Sequence, residues 1–194
     1  MVIVEMLYKD KQKSAKVGGN VEKNIDITRN ADGNMIVIIN NICFKGKRKI
    51  NWDDVEAYLK QYIGGFYDIM ESGDRVYIGS DFADEFGGSN DTARLKGTLA
   101  KAKANAVQGI PKLIEHASGK RYKENLADKH VHNAKYGWYR YDSRFALPVY
   151  GNNGDVERYN VFRAEILIRH AEDGKMYLYD LVNIKKETST PFEQ

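Results

Sequence analysis

The sequence predicts an α+β fold in which helices pack on a C-terminal antiparallel β-meander, with a small strand and helix region ahead of them. Three observations carry this. Beyond Gly137 the apolar pattern takes a period of two and holds it through 138–150, 157–170 and 176–186, as half-buried strands do. The turn-forming runs Gly151-Asn152-Asn153-Gly154 and Glu172-Asp173-Gly174 separate these segments, which makes the strands antiparallel neighbours. Ahead of them lie segments with helical spacing and helix-end signals, and helices first with strands last is an α+β order rather than a βαβ order.

Taken in order, residues 1–33 read as a strand-containing extension, and 34–194 as the α+β domain with its meander over 137–186. Residues 1–8 have strand character, and 24–28 alternates as a half-buried strand would. Asp32-Gly33 is a turn signal that lets 24–28 pair with 34–44 as a hairpin. A basic loop, 45–49, leads to Asn51, an N-cap for a helix over 52–63 whose first turn carries Asp53 and Asp54. Trp52, Val55, Leu59 and Tyr62 form its apolar stripe, and Gly64-Gly65 ends it. Residues 75–78 read as a strand and 79–89 as a loop. An alanine-rich helix is expected over 91–108, stopped by Gly109, and a second begins at Pro111. From 120 to 133 the chain is polar with weak helical character. In the meander, Phe162, Ala164, Ile166 and Ile168 share one face; Leu178, Val182 and Ile184 share a face with Asp180, opposite Leu181. Pro148 marks an edge or a bulge.

A chain of 194 residues suits one domain with a core of its own. Its one cysteine, Cys43, cannot close a disulfide within the chain, and its apolar surroundings predict a buried small hydrophobe. No apolar run approaches the ~18 residues of a membrane span. The N-terminal residues lack a signal-peptide pattern, so a cytoplasmic protein without membrane partners is expected. Net charge is +3, but it is unevenly spread. Residues 94–144 hold 12 Lys+Arg against 4 Asp+Glu, whereas the flanking segments are net negative. Such a block points to a polyanionic partner, or else to a solvated lysine-rich helix.

The stretch 125–150 concentrates the chemistry. It combines His130 and His132 with Lys129, Lys135, Arg140 and Arg144 and the aromatic run Tyr136, Trp138, Tyr139 and Tyr141. Phosphate binding, proton transfer and ring stacking need this mixture. The H-x-H pair lacks a third ligand elsewhere in the sequence, so no metal or cofactor is expected. One histidine near neutral pKa suits acid–base work, with a solvent-exposed polar loop as the alternative. The polar face of the meander carries Arg163, Glu165, Arg169, Tyr179, Asn183 and Lys185, fit either for a phosphodiester or for cross-strand ion pairs. Lys101, Lys103, Lys129, Lys135, Trp138, Tyr141 and Arg144 are the expected nucleic-acid contacts. P-loop, dinucleotide-binding and nucleophile-elbow motifs are all missing from the sequence.

The segments YIGSDF (77–82), AKAKAN (100–105), KYGWYRY (135–141) and YDLVNIKKET (179–188) resemble domains in the polyvalent proteins of phages and conjugative elements of gut Firmicutes, over residues 42–191. Those proteins include predicted RNases of the barnase–EndoU–colicin–RelE-like class and accessory domains without assigned chemistry. The resemblance to the nuclease class implies helices on a meander with an exposed polar face. It implies an active face of His130, Arg140, Arg163 and Lys185, working without metal, with Glu165 or His170 as partner to His130. The period of two, however, puts His170 on the core side. Two functions are thus expected. One is a metal-independent endoribonuclease, a toxin or effector with an immunity partner. The other is a non-catalytic module that binds RNA, single-stranded DNA or protein.

Overall fold

The computed structural model describes residues 24–46, 49–126 and 133–187. Its elements are β1 (Ile25–Arg29), β2 (Met35–Ile39), α1 (Trp52–Leu59), β3 (Phe66–Asp68), β4 (Arg75–Tyr77), α2 (Phe82–Gly88), α3 (Asn90–Arg94), α4 (Gly97–Ala106), α5 (Ile110–Glu115), β5 (Ser118–Lys123), β6 (Trp138–Tyr150), β7 (Val156–His170) and β8 (Met176–Lys186). This is an α+β fold built on one mixed sheet ordered β1-β2-β6-β7-β8-β4-β3.

The predicted antiparallel meander β6-β7-β8 is the centre of that sheet. A hairpin joins it on each side, and each join is parallel: Val37 pairs with Phe145, and Val76 with Met176. The strand β6 is 13 residues long, enough for two partners on one edge. There β5 runs antiparallel along 138–142, and β2 follows at 145–146. The boundary expected at residue 33 falls in the β1–β2 turn, so the described part of the extension belongs to the same sheet. The strand expected at 1–8 lies outside the described residues.

Helices cover one face of the sheet. Tyr141, Phe145 and Leu147 of β6 and Phe162, Ala164, Ile166 and Ile168 of β7 pack there with Val55, Leu59, Phe82, Phe86 and Leu113. Phe145 and Phe162 stack with centroids 5.3 Å apart. Each fully buried Val, Leu, Ile or Phe among them contributes about 1.5–3 kcal/mol by leaving water.

Two register shifts between β7 and β8 change which residues face this core. Asn183 sits in one of them at φ 54, a left-handed conformation that asparagine tolerates better than most. As a result Leu178, Leu181 and Ile184 enter the core at a spacing of three. Leu181 pairs with Ile166, and Val182 with Glu165 on the other face. The expected assignment of Val182 to the core and Leu181 to the opposite face is thereby corrected.

Other expectations also change. The supposed loop 79–89 contains α2, whose Phe82 and Phe86 are buried one turn apart. The helix over 91–108 is interrupted at Leu95, which is extended, and restarts at Gly97. Part of 120–133 is strand β5. Cys43 is exposed rather than buried, and its thiol donates to Gln108 Oε1 at 3.1 Å.

Candidate nucleic-acid interface

The face of the sheet turned away from the helices is polar and aromatic except at its β2 end, where Ile36, Ala146 and Val161 form a small buried apolar cluster, and register decides which side chains meet on it. One row crosses six strands through successive paired positions. Lys123 pairs with Trp138, Trp138 with Arg169, Arg169 with Tyr177, Tyr177 with Tyr77, and Tyr77 with Phe66. Five steps of ~4.8 Å make this row about 24 Å long.

Rings and cations are interleaved along it. Trp138 meets the Tyr179 ring edge-on at 5.0 Å. The Arg169 guanidinium lies 4.9 Å from the Tyr177 ring, and the Tyr177 and Tyr77 rings are 5.9 Å apart. Tyr77 is 5.8 Å from Phe66, which carries Arg75 over its face at 4.1 Å, while Lys175 sits 5.0 Å over Tyr77. Cation–π contacts hold the guanidinium planes against the rings. The chain entering α2 bounds the row: Arg169 donates to Asp81 Oδ2 at 2.8 Å, and the Tyr179 hydroxyl to Glu85 Oε2 at 2.6 Å. Burial and the Glu85 carboxylate together push the Tyr179 phenol well above its ordinary pKa, so it remains a donor.

Further up the face lies an ionic network. Arg121 grips Asp142 with two nitrogens, at 2.9 and 3.1 Å, and reaches Glu165 at 3.3 Å. Arg140 donates to Glu165 Oε2 at 2.6 Å and Asn183 to the same oxygen at 2.7 Å. Partial burial pulls the Glu165 pKa upward, but the bonds from Arg140 and Asn183 and the nearby guanidinium charges outweigh it. The carboxyl is held below its ordinary value. Glu165 is therefore a fixed anion near neutral pH, suited to positioning arginines and unsuited to donating a proton.

Next comes a row of like charges. Arg144, Arg163 and Lys185 occupy paired positions on β6, β7 and β8. Arg144 has Glu187 at 3.2 Å. Among the described residues no carboxylate lies within ion-pair distance of Arg163 or Lys185, and both are exposed. Like charges directly opposite on neighbouring strands are destabilising unless an anion sits between them.

Arg140, Arg163 and Lys185 of the expected active face thus share one side of the sheet, as do Trp138 and Arg144 of the expected contacts. His130, His132 and Lys129 lie outside the described residues. His170 stays on the other side, its ring 5.1 Å from Tyr136 and 6.0 Å from Tyr139, and does not join Glu165. Two expected contacts are corrected. Lys103 is fully buried, 2.7 Å from Asp180, because it points from α4 into the sheet. Tyr141 is fully buried too and donates to Asp74 Oδ2 at 2.5 Å. Lys135 pairs with Glu172 at 2.9 Å on an exposed turn, and Lys101 lines a cavity on the helical side. Phe66, Tyr77 and Tyr177 were not foreseen. Phe66 and Tyr77 lie in three-residue strands too short to show a period, and their place beside Tyr177 is visible only once β4 is known to lie beside β8.

The fold is therefore that of an α+β protein with a mixed sheet, helices on one face and a row of rings and cations on the other. No family model, no curated protein and no solved structure matches the chain. No helix among the described residues is long and apolar enough to cross a membrane. Among those residues no group of three His, Cys, Asp or Glu side chains is placed to hold a metal ion.

Proposed function

We propose that this protein binds single-stranded nucleic acid, RNA in the first instance, across the open face of its sheet. The observation that carries the reading is the row from Lys123 through Trp138, Arg169, Tyr177 and Tyr77 to Phe66. Bases stack on aromatic and guanidinium planes without regard to sequence, and a row of that length suits about four nucleotides. Arg144, Arg163 and Lys185 supply phosphate contacts about 20 Å further along the strands, six residues from the row at ~3.3 Å each. The setting that fits is the cytoplasm of a bacterial host, within a polyvalent protein of a mobile element, as the resemblance at 135–141 and 179–188 suggests. Fluorescence anisotropy with a labelled RNA 12-mer tests this. Y177A and F66A should each weaken binding about 5- to 100-fold, the loss expected for one stacked base. Absence of binding at low salt would sink the proposal and leave a protein partner as the target.

A second reading is that the bound RNA is also cleaved without a metal, as by a toxin or effector held in check by an immunity partner. It draws on Arg140, Arg163 and Lys185 sharing that face. Cations there would stabilise a pentacoordinate phosphate, and His130 would move the proton. End-labelled RNA incubated in EDTA decides it. Cleavage should fall by about 10²–10⁴-fold in H130A while affinity is kept. Intact RNA after incubation with the unaltered protein rules the cleavage reading out.

A further inference from the structure

On the helical side of the sheet, away from the ring row, lies a cavity of about 1230 Å³. It opens where β6 and β7 extend past the helices, between the loop that follows β2 and the start of α4. Four lysines line it: Lys45 and Lys49 from the loop, Lys96 ahead of α4 and Lys101 within it. No Asp or Glu is among its lining residues. Among the described residues none of the four has a carboxylate within ion-pair distance, although other lysines of the chain do. The floor is apolar and includes Ile50, Trp52, Leu147 and Phe162. Leu147 and Phe162 are buried members of the main core.

The geometry points to a binding site for an anionic amphiphile, a molecule with one phosphate or carboxylate head and an aliphatic body. Unpaired ammonium groups at the rim define the head, since four cations without counter-ions gain from an anion among them. The walls define the body. Small-molecule sites are mostly apolar with few polar groups, at about 300–1,000 Å³, and this cavity has room for an extended chain. A nucleoside phosphate fits less well. Among the lining hydroxyls, Thr92 already donates to Phe86 O at 2.6 Å and Tyr150 to Asn40 O at 3.3 Å, so a base would find few ready partners for its hydrogen-bonding edge. The site is independent of the nucleic-acid face: none of the residues of the ring row lines it.

Isothermal titration of the full chain with alkyl phosphates of eight, nine and ten carbons, kept below micelle formation, tests the inference. One molecule should bind per chain, and each added methylene should tighten binding by about fourfold, the transfer of one CH₂ from water. The matching alkanoates separate a phosphate head from a carboxylate head. K49E/K96E, with both changes at the exposed rim, should weaken the ten-carbon phosphate at least tenfold, whereas Y177A should leave it unaltered. Binding that is not saturable at one site, or is indifferent to chain length, or is unmoved by the charge reversals, overturns the proposal. Inorganic phosphate competing as well as the ten-carbon compound would do so too.

Discussion

Lys103 carries a fully buried side-chain charge. Its ammonium is 2.7 Å from Asp180 Oδ1, 3.5 Å from Asp91 Oδ2 and 4.7 Å from the Phe86 ring centroid, with no exposed surface. Removing one member of a buried pair leaves the other uncompensated, so K103M should destabilise the fold by about 3–5 kcal/mol, whereas K103M/D180L should recover most of that. Urea unfolding of the two variants measures it; equal losses would show that the pair is not what K103M disrupts. Burial raises the Asp180 pKa to about 6, more than Lys103 and the bonds from Ser89 and the Leu181 amide lower it. A carboxyl raised in the folded state favours folding fully below its unfolded value of 3.8 and loses that contribution as pH rises through about 6. The stability difference between the unaltered protein and D180N should therefore shrink from pH 4 to pH 7. A difference that grows over that range would reverse the assigned direction.

Strand β8 departs from simple alternation. Its two register shifts turn a period of two into a spacing of three, and Asn183 adopts φ 54 while donating to Glu165. N183A loses the bond and strains the left-handed backbone by about 1–2 kcal/mol, whereas N183G loses the bond and adds a smaller backbone-entropy cost of about 0.5–1 kcal/mol. Thermal melts should therefore rank the asparagine above glycine and glycine above alanine; alanine melting above glycine would show that the turn is not strained. The strands β6, β7 and β8 were legible because alternation is a local signal, and so was the face that Arg163 and Lys185 share. Leu181 and Val182 were not separable, since both are apolar and the shifts on either side of them are set by pairing with β7. The loop assigned to 79–89 followed its glycines, although Phe82 and Phe86 at a spacing of four already signalled a helix. Trp138 was found within its aromatic run, but Tyr77 and Phe66 belong to a hairpin whose neighbour, β8, comes about a hundred residues later, and no local pattern reports that pairing.

For the whole molecule, the basic block of residues 94–144 is a feature of the sequence and not of one surface. The fold sends Lys103 to the core, Lys96 and Lys101 to the cavity, Lys112 to Glu115, Lys120 to Asp74, and Arg121 and Arg140 to the open face. If a strand binds the open face as proposed, only the cations there act on it. Three phosphate contacts from Arg144, Arg163 and Lys185 give a log–log salt slope of about −2 for single strands, against about −5 or steeper if the whole block took part. Anisotropy across a salt series distinguishes the two values. The two parallel joins have a kinetic consequence as well. The meander closes through short turns, but Val37 reaches Phe145, and Val76 reaches Met176, only after loops of about a hundred residues have lost their freedom. The three long strands should therefore acquire protected amides first, with both flanking hairpins docking afterwards and limiting the overall rate. In pulse-labelled hydrogen exchange Ile166 should be protected before Val37 and Val76. The proposed nucleic-acid face, which needs Tyr77 and Phe66 beside β8, would then be among the last parts of the molecule to exist.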